Sequence, residues 1–236
     1  DLARQCNAYI IAQMVAKDPE LMEDRVFNIA FIIDPNGDVI HKHYKTAFYQ
    51  KETNTAPSDI WDLYLDRYGD DPVKLFEALY PVAKTEIGNI GTIICAEGSY
   101  AEAARGLELN GAEIIWRTQY PEPWMGNGIA EIQNRSHAIF NTAYVLSPNI
   151  GGIYMPGGEQ HLMSCGKSQI IDYRGQVISQ YLGDGETLVS AILNIDGLRD
   201  FRVRGQWQNL VKDMRIEEYK VIYDAMMAKG GIYPRN

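Results

Sequence analysis

The chain has 236 residues, 46% of them hydrophobic, enough for a sizeable core within a single α/β domain spanning 1–236. Acidic residues number 31 against 22 basic ones, a formal net charge of −9, and no basic run interrupts that balance, so nucleic acid and anionic membrane surfaces are excluded as expected partners. Three cysteines (Cys6, Cys95 and Cys165) are an odd number without zinc-ligand spacing, and no signal peptide or long apolar run is legible, so a reducing, cytoplasmic setting is expected.

In chain order, Asp1 to Cys6 reads as the tail of a helix. The chain opens without methionine, so a preceding N-terminal portion is expected. Ala8 to Val15 reads as a strand and Lys17 to Asp24 as a loop. Val26 to Ile33 and Val39 to Tyr44 form a hairpin about Asp34-Pro35-Asn36-Gly37, where glycine supplies the positive φ that a tight turn needs. Lys45 stands just past it. Residues 51–80 break the pattern with Trp61, Tyr64, Tyr68 and Phe76 and read as an insertion, either a surface elaboration or a lid, with a short helix at Val73 to Tyr80.

Val82 to Glu86 and Ile90 to Ile94 flank Gly88 as a second hairpin, which ends at Cys95. Ser99 is the expected cap of a helix over Tyr100 to Leu109, closed by Asn110-Gly111. Strand Ala112 to Trp116, helix Asn127 to Thr142 and strand Tyr144 to Leu146 follow, a β-α-β-α-β order that predicts neighbouring parallel strands. Residues 169–181 form another hairpin, and Ile170 to Ile178 matches Ile32 to Ile40 at six of nine positions. The same hairpin in both halves suits a pseudo-symmetric sandwich of two sheets. Leu188 to Leu193 reads as a last strand and Leu210 to Met226 as a last helix.

Cys95 is the centre of the pattern, since a thiol at a strand end before a helix lies at the sheet's carboxyl edge, where ligands collect in α/β folds. A lone cysteine after an apolar strand is ordinarily packing, and a lone lysine after a hairpin is ordinarily solvated. Chemistry requires the two together. Gly37-Asp38-Val39-Ile40-His41-Lys42-His43-Tyr44-Lys45-Thr46-Ala47-Phe48 resembles the lysine motif of the nitrilase superfamily, carbon–nitrogen hydrolases with a Glu-Lys-Cys triad. Cys95-Ala96-Glu97-Gly98-Ser99-Tyr100-Ala101-Glu102 resembles the family's nucleophile segment. Further likeness lies in Gly111 to Gln119, Asn141 to Asn149 and Gly166-Lys167-Ser168, so it covers nearly the whole chain.

The resemblance implies a four-layer α-β-β-α sandwich lacking its N-terminal strand and helix, with Cys95 as nucleophile and Lys45 stabilising the oxyanion beside the Ala96 backbone N–H. It implies a general-base glutamate upstream of Asp1, and no metal or organic cofactor. Glu52 is the nearest candidate for a second glutamate close to substrate, Glu97 and Glu102 are candidate supports, and Arg117 and Gln119 are candidate donors around the substrate. Trp116 reads as core.

Gly98 to Glu102 and Ile115 to Gln119 look most like the aliphatic amidase and formamidase branch, implying a small linear amide as substrate. Related hydrolases imply a homo-oligomer, with Leu198 to Met226 as the contact segment. The alternatives are a nitrilase, suggested by Cys95-Ala96-Glu97, and a non-catalytic assembly or binding member of the superfamily. A Cys-His hydrolase using His41, His43, His137 or His161, and a metal site at His161 and Cys165, are weaker readings.

Overall fold

The computed structural model describes residues 1–49, 52–119, 128–151, 153–154, 160–161, 166–183, 185–204 and 209–230. After a short helix α1 (Leu2–Cys6), strands β1 (Ile10–Asp18), β2 (Met22–Ile33) and β3 (Val39–Tyr44) form an antiparallel sheet in that order. The expected loop at 17–24 shrinks to a tight turn, because β1 runs on to Asp18 and β2 begins at Met22.

The second sheet has six strands: β4 (Val82–Thr85), β5 (Gly88–Ile94), β6 (Ile114–Thr118), β7 (Tyr144–Ser147), β10 (Gln169–Ile171) and β11 (Val177–Gln180). Spatial order is β11-β10-β7-β6-β5-β4, and β5, β6 and β7 are parallel neighbours. Helices α4 (Ala101–Leu109) and α5 (Ile129–Asn141) make the crossovers, as the alternation predicts. A two-residue pair, β8 (Ile153–Tyr154) and β9 (Gln160–His161), stands apart from both sheets.

Period-two alternation decides which layer each strand face meets. In β2, Ala30 and Ile32 face the second sheet, where they join Ile94, Trp116, Ile90, Ile114 and Tyr144 in the inter-sheet core. Ile93, Ile115, Val145 and Ile171 point the other way and bury α4 and α5 through Ala103, Ala104, Leu107 and Ala138. Phe27 and Ile29 lie on the outer face of the small sheet, covered by Ile60, Tyr64, Leu75 and Leu79. The last group belongs to the 51–80 stretch, which carries α2 (Trp61–Tyr68) and α3 (Pro72–Leu79). Its described residues therefore supply the outer helical layer of the first sheet. Asp71 caps α3 with its carboxylate on the Val73 and Lys74 N–H groups.

The sequence repeat is also a structural one. Asp34 Oδ1 accepts from the N–H groups of Asn36 and Asp38 at 2.9 Å each, and Asp172 Oδ1 accepts from those of Arg174 and Gln176 at 2.9 Å each. Gly37 and Gly175 take φ of 85° and 78°, and both hairpins shift register at the same place, after Ile32 and Ile170. One copy lies in each sheet.

Three expectations are corrected. Leu188 to Leu193 forms no strand: Leu188 and Ile192 are exposed, and no described strand pairs with the segment, so its apolar residues lack the neighbour that a ladder needs. The C-terminal helical region divides into α6 (Ile195–Arg204) and α7 (Ile216–Ala228). Helix α6 docks through fully buried Leu198, a two-bond contact of Arg199 with Glu113, and Arg202 on the carbonyls of Ala112 and Thr142. Ser99 is not a helix cap, since α4 begins at Ala101 with Tyr100 at its N-cap, and Cys95–Ser99 form a separate 3₁₀ turn.

Candidate active site

Cys95 follows β5 directly, with φ of +51°, a left-handed conformation that costs a non-glycine residue about 1–3 kcal/mol. It persists only if its surroundings fix it. On one side, the Ile94 N–H donates to Glu97 Oε2 at 2.7 Å. On the other, the Cys95 carbonyl accepts from Arg117 Nη2 at 3.4 Å. A hydrogen bond to a charged group contributes about 1.5–3 kcal/mol, so these contacts are of the size needed to hold the turn. Ala96 follows directly in the 3₁₀ turn.

Lys45 follows β3, its N–H bonded to the Asn28 carbonyl at 2.9 Å and its side chain 2% exposed. An ammonium so buried needs a partner, and Glu52 supplies one, with Nζ at 2.5 and 2.7 Å from its two carboxylate oxygens. The Tyr49 N–H also donates to Glu52 Oε1 at 3.1 Å, closing a short loop from β3 back onto the lysine.

Glu97 is buried between the two strand ends. It accepts from the Thr46 N–H at 2.6 Å, the Thr46 hydroxyl at 2.7 Å and the Ile94 N–H at 2.7 Å, and pairs with His43 Nε2 at 2.9 Å. Burial pushes its carboxyl up, but attraction to His43, the bond to that ring and the two backbone donors outweigh this and hold it below the ordinary carboxylate range. Glu102 behaves differently. It is exposed in the first turn of α4, where a negative charge suits the helix dipole, and accepts from the Tyr223 hydroxyl at 2.6 Å.

Arg117 and Gln119 were expected to present donors to a substrate. Arg117 is instead fully buried, with Nη1 on Asn134 Oδ1 and Nη2 on Gln133 Oε1, both at 2.7 Å, so it supports the turn from beneath. Gln119 is 4% exposed and donates to Ser147 Oγ at 2.5 Å, while its Oε1 is buried without a partner among the described residues. Trp116 packs between the sheets, as read from sequence.

The histidines are engaged elsewhere. His41 Nε2 meets Thr92 Oγ1 at 3.0 Å, His43 meets Glu97, and His137 Nε2 meets the Gly98 carbonyl at 2.8 Å. Burial, with the neighbouring charge of His43, pushes His41 down to about 3; burial, with Arg117 beside it, pushes His137 down to about 4. The side chains of His161 and Cys165 lie outside the described residues.

A cleft of about 370 Å³ opens beside Glu97, lined by Thr46, Ala47, Tyr80 and Glu102 among others, with neither Cys95 nor Lys45 on its wall. Sequence reading missed Thr46, His43, Gln133 and Asn134 as partners of these groups. Only the period-two spacing that puts His41 and His43 on one strand face is a local signal for any of them.

Residues 1–203 match the family described as carbon-nitrogen hydrolase. Among curated proteins, the chain is 27% identical over 176 residues to "Probable hydrolase nit2" of Schizosaccharomyces pombe, covering 73% of this chain and 58% of that protein. It is 28% identical over 158 residues to the formamidase of Bacillus cereus strain B4264, covering 64% of this chain and 40% of the relative. The chain thus spans about half the length of these two relatives. Among solved structures, a carbon-nitrogen hydrolase from Helicobacter pylori G27 superposes with a TM-score of 0.71 at 22% identity, over 94% of this chain and 73% of that one. A mutant amidase from Nesterenkonia sp. AN1, carrying the acetamide moiety of fluoroacetamide on its active-site cysteine, superposes with a TM-score of 0.63 at 17% identity, over 93% and 69%. These structural likenesses concern the fold.

Proposed function

The chain belongs to the carbon-nitrogen hydrolase family, and from that premise we propose that it hydrolyses a small linear amide to acid and ammonia through a cysteine acyl-thioester. The observation that supports the reading best is the arrangement of two strand ends. Cys95 follows β5 on a strained turn, Lys45 follows β3 with its ammonium buried, and Glu97 bonds the residues adjoining both.

In this mechanism a carboxylate base takes the Cys95 proton, and the sulfur attacks the amide carbonyl. The Lys45 ammonium and the Ala96 N–H stabilise the oxyanion that forms, a type of contact whose removal typically costs about 3–4 kcal/mol. Collapse breaks the C–N bond, ammonia leaves with the proton, and water then attacks the thioester to release the acid and restore the thiol. Glu52 orients the Lys45 side chain.

The same reading includes a homo-oligomer. Helix α7 has no buried residue, and Ile216, Tyr219, Val221, Ile222, Tyr223 and Met227 are all exposed along it, an apolar surface that a second copy would cover. A strictly monomeric mass at micromolar concentration would reject that part.

The activity is tested with the full-length protein and short aliphatic amides. Ammonia release is expected, and added hydroxylamine is expected to divert the acyl group to a hydroxamate. Faster turnover of the matching nitriles would replace amide by nitrile as substrate. Turnover of neither would favour a non-catalytic member of the family.

A further inference from the structure

Lys45 and Cys95 follow strands of different sheets, so no hydrogen-bonded ladder joins their backbones. One side chain bonds the residues that adjoin both. Thr46, directly after Lys45, gives its N–H to Glu97 Oε1; Ile94, directly before Cys95, gives its N–H to Oε2. We infer that Glu97 is a positioning residue that sets where the Lys45 ammonium stands relative to the Cys95 sulfur, by clasping the ends of the two sheets through their main-chain amides.

The chemistry of the donors argues that only a glutamate carboxylate serves. Five contacts converge on it: two backbone N–H groups, the Thr46 hydroxyl, and the His43 ring at 3.1 and 2.9 Å from the two oxygens. A glutamine offers one acceptor oxygen, and whichever way its amide turns, its NH₂ faces the N–H of Thr46 or of Ile94. An aspartate keeps both acceptors but is one methylene shorter, so it reaches one strand end and not both. Both carboxylate oxygens of Glu97 are taken up by Thr46, Ile94 and His43, and Glu97 is 2% exposed, so it acts through the residues that adjoin Lys45 and Cys95.

A misplacement of about 1 Å between reacting groups costs about 100-fold in rate, which sets the size of the effect to look for. The inference rests on Lys45 and Cys95 working together, so the experiment has one readout that requires amide turnover and one that does not. The first is kcat and KM for a short amide; the second is the rate at which iodoacetamide alkylates Cys95, which responds to the groups placed around the sulfur. The full-length parent is compared with Lys45→Ala, Glu97→Gln, the double variant Lys45→Ala/Glu97→Gln, and Thr46→Val, which deletes only the hydroxyl bond.

Glu97→Gln is expected to lose about 100-fold in kcat with KM changed less than about threefold, and to slow alkylation about tenfold. In the double variant, Glu97→Gln should add no further loss to that of Lys45→Ala in either readout, because its effect passes through the lysine. Thr46→Val should show a smaller loss of the same kind. If Glu97→Gln does not fold, Thr46→Val alone and on the Lys45→Ala background decides the matter. Losses that add in the double variant, a change confined to KM, or parent-like rates in both Glu97→Gln and Thr46→Val would overturn the inference. Parent protein that turns over no amide while alkylation keeps the Lys45–Glu97 coupling would refute the substrate reading and leave the clasp standing.

Discussion

Lys45 and Glu52, seven positions apart, form an ion pair at the edge of the interior: the lysine side chain is 2% exposed and the glutamate 23%, with Nζ 2.5 Å from Oε1. The pair is asymmetric, its cation held inward and its carboxylate toward solvent. Burying an unpaired ammonium would cost several kcal/mol, and Glu52 offsets that cost with two short contacts to Nζ.

This asymmetry predicts unequal losses. Lys45→Ala should reduce kcat by about 100- to 1000-fold, the usual effect of deleting an oxyanion donor, while Glu52→Gln, which retains one acceptor oxygen for Nζ, should reduce it about tenfold. Lys45→Arg should not restore the rate, because a planar guanidinium cannot occupy the position of a compact ammonium. The check is kcat at saturating amide, and a normal value for Lys45→Ala would remove Lys45 from the oxyanion site.

Cys95→Ala should abolish hydrolysis and leave the thermal midpoint close to that of the parent, since the sulfur is only partly buried and alanine fits the same turn with a smaller side chain. Cys6→Ala should keep full activity, as Cys6 is exposed at the end of α1. Ammonia release and a melting curve for each variant distinguish these outcomes. Turnover by Cys95→Ala at the parent rate would refute the thioester mechanism.

The sequence was most legible where the governing interactions are local. Strand β3 falls on Val39–Tyr44 as read, because Asp34 and Gly37 define the preceding turn by themselves. The parallel order of β5, β6 and β7 follows from strand–helix alternation, and Cys95 is at a strand end as its neighbours suggest. Long-range partnerships were not legible. Glu97 meets Thr46 and His43 across 51 and 54 positions, and Arg117 looked like a substrate donor because nothing near it in sequence reveals the α5 residues that enclose it. Leu188 to Leu193 has strand composition, but composition cannot supply a neighbouring strand.

The buried histidines predict how stability depends on pH. His41 and His137 are held down to about 3 and about 4, below the ordinary 6.5, so between those values the unfolded chain binds protons that the folded chain refuses. Stability rises with pH wherever the unfolded state binds more protons. Their neutral forms are accommodated fully above about 6.5, and stability is lost as pH falls below it, before the depressed Glu97 carboxyl loses its own contribution below about 4.5. The thermal midpoint should therefore fall between pH 7 and pH 5. His137→Gln, whose amide can still donate to the Gly98 carbonyl, should flatten that slope, and an unchanged slope would exclude His137 as a source of it.

Gly98 has a backbone conformation open to other residues, since its φ lies outside the left-handed region, yet the space beside it is closed. A Cβ there would lie 1.9 Å from Arg117 Nε and 2.2 Å from Cζ. A flexible surface arginine would swing away at little cost. Arg117 is fully buried and tied to Asn134 and Gln133 at 2.7 Å, while His137 holds the Gly98 carbonyl at 2.8 Å, so neither side of the contact yields freely. Gly98→Ala should therefore destabilise the fold by about 1–3 kcal/mol or more through overpacking, and should reduce kcat as well, because the arginine it displaces also meets the Cys95 carbonyl. Gly185→Ala, with only the Tyr181 hydroxyl at 3.4 Å, should stay within about 0.5 kcal/mol of the parent. Combining Gly98→Ala with Arg117→Ala should cost less than the sum of the two, since the second change vacates the space that the first one needs. Urea midpoints for the four proteins measure this coupling, and a Gly98→Ala variant as stable as the parent would show that Arg117 does not close the space beneath the cysteine turn.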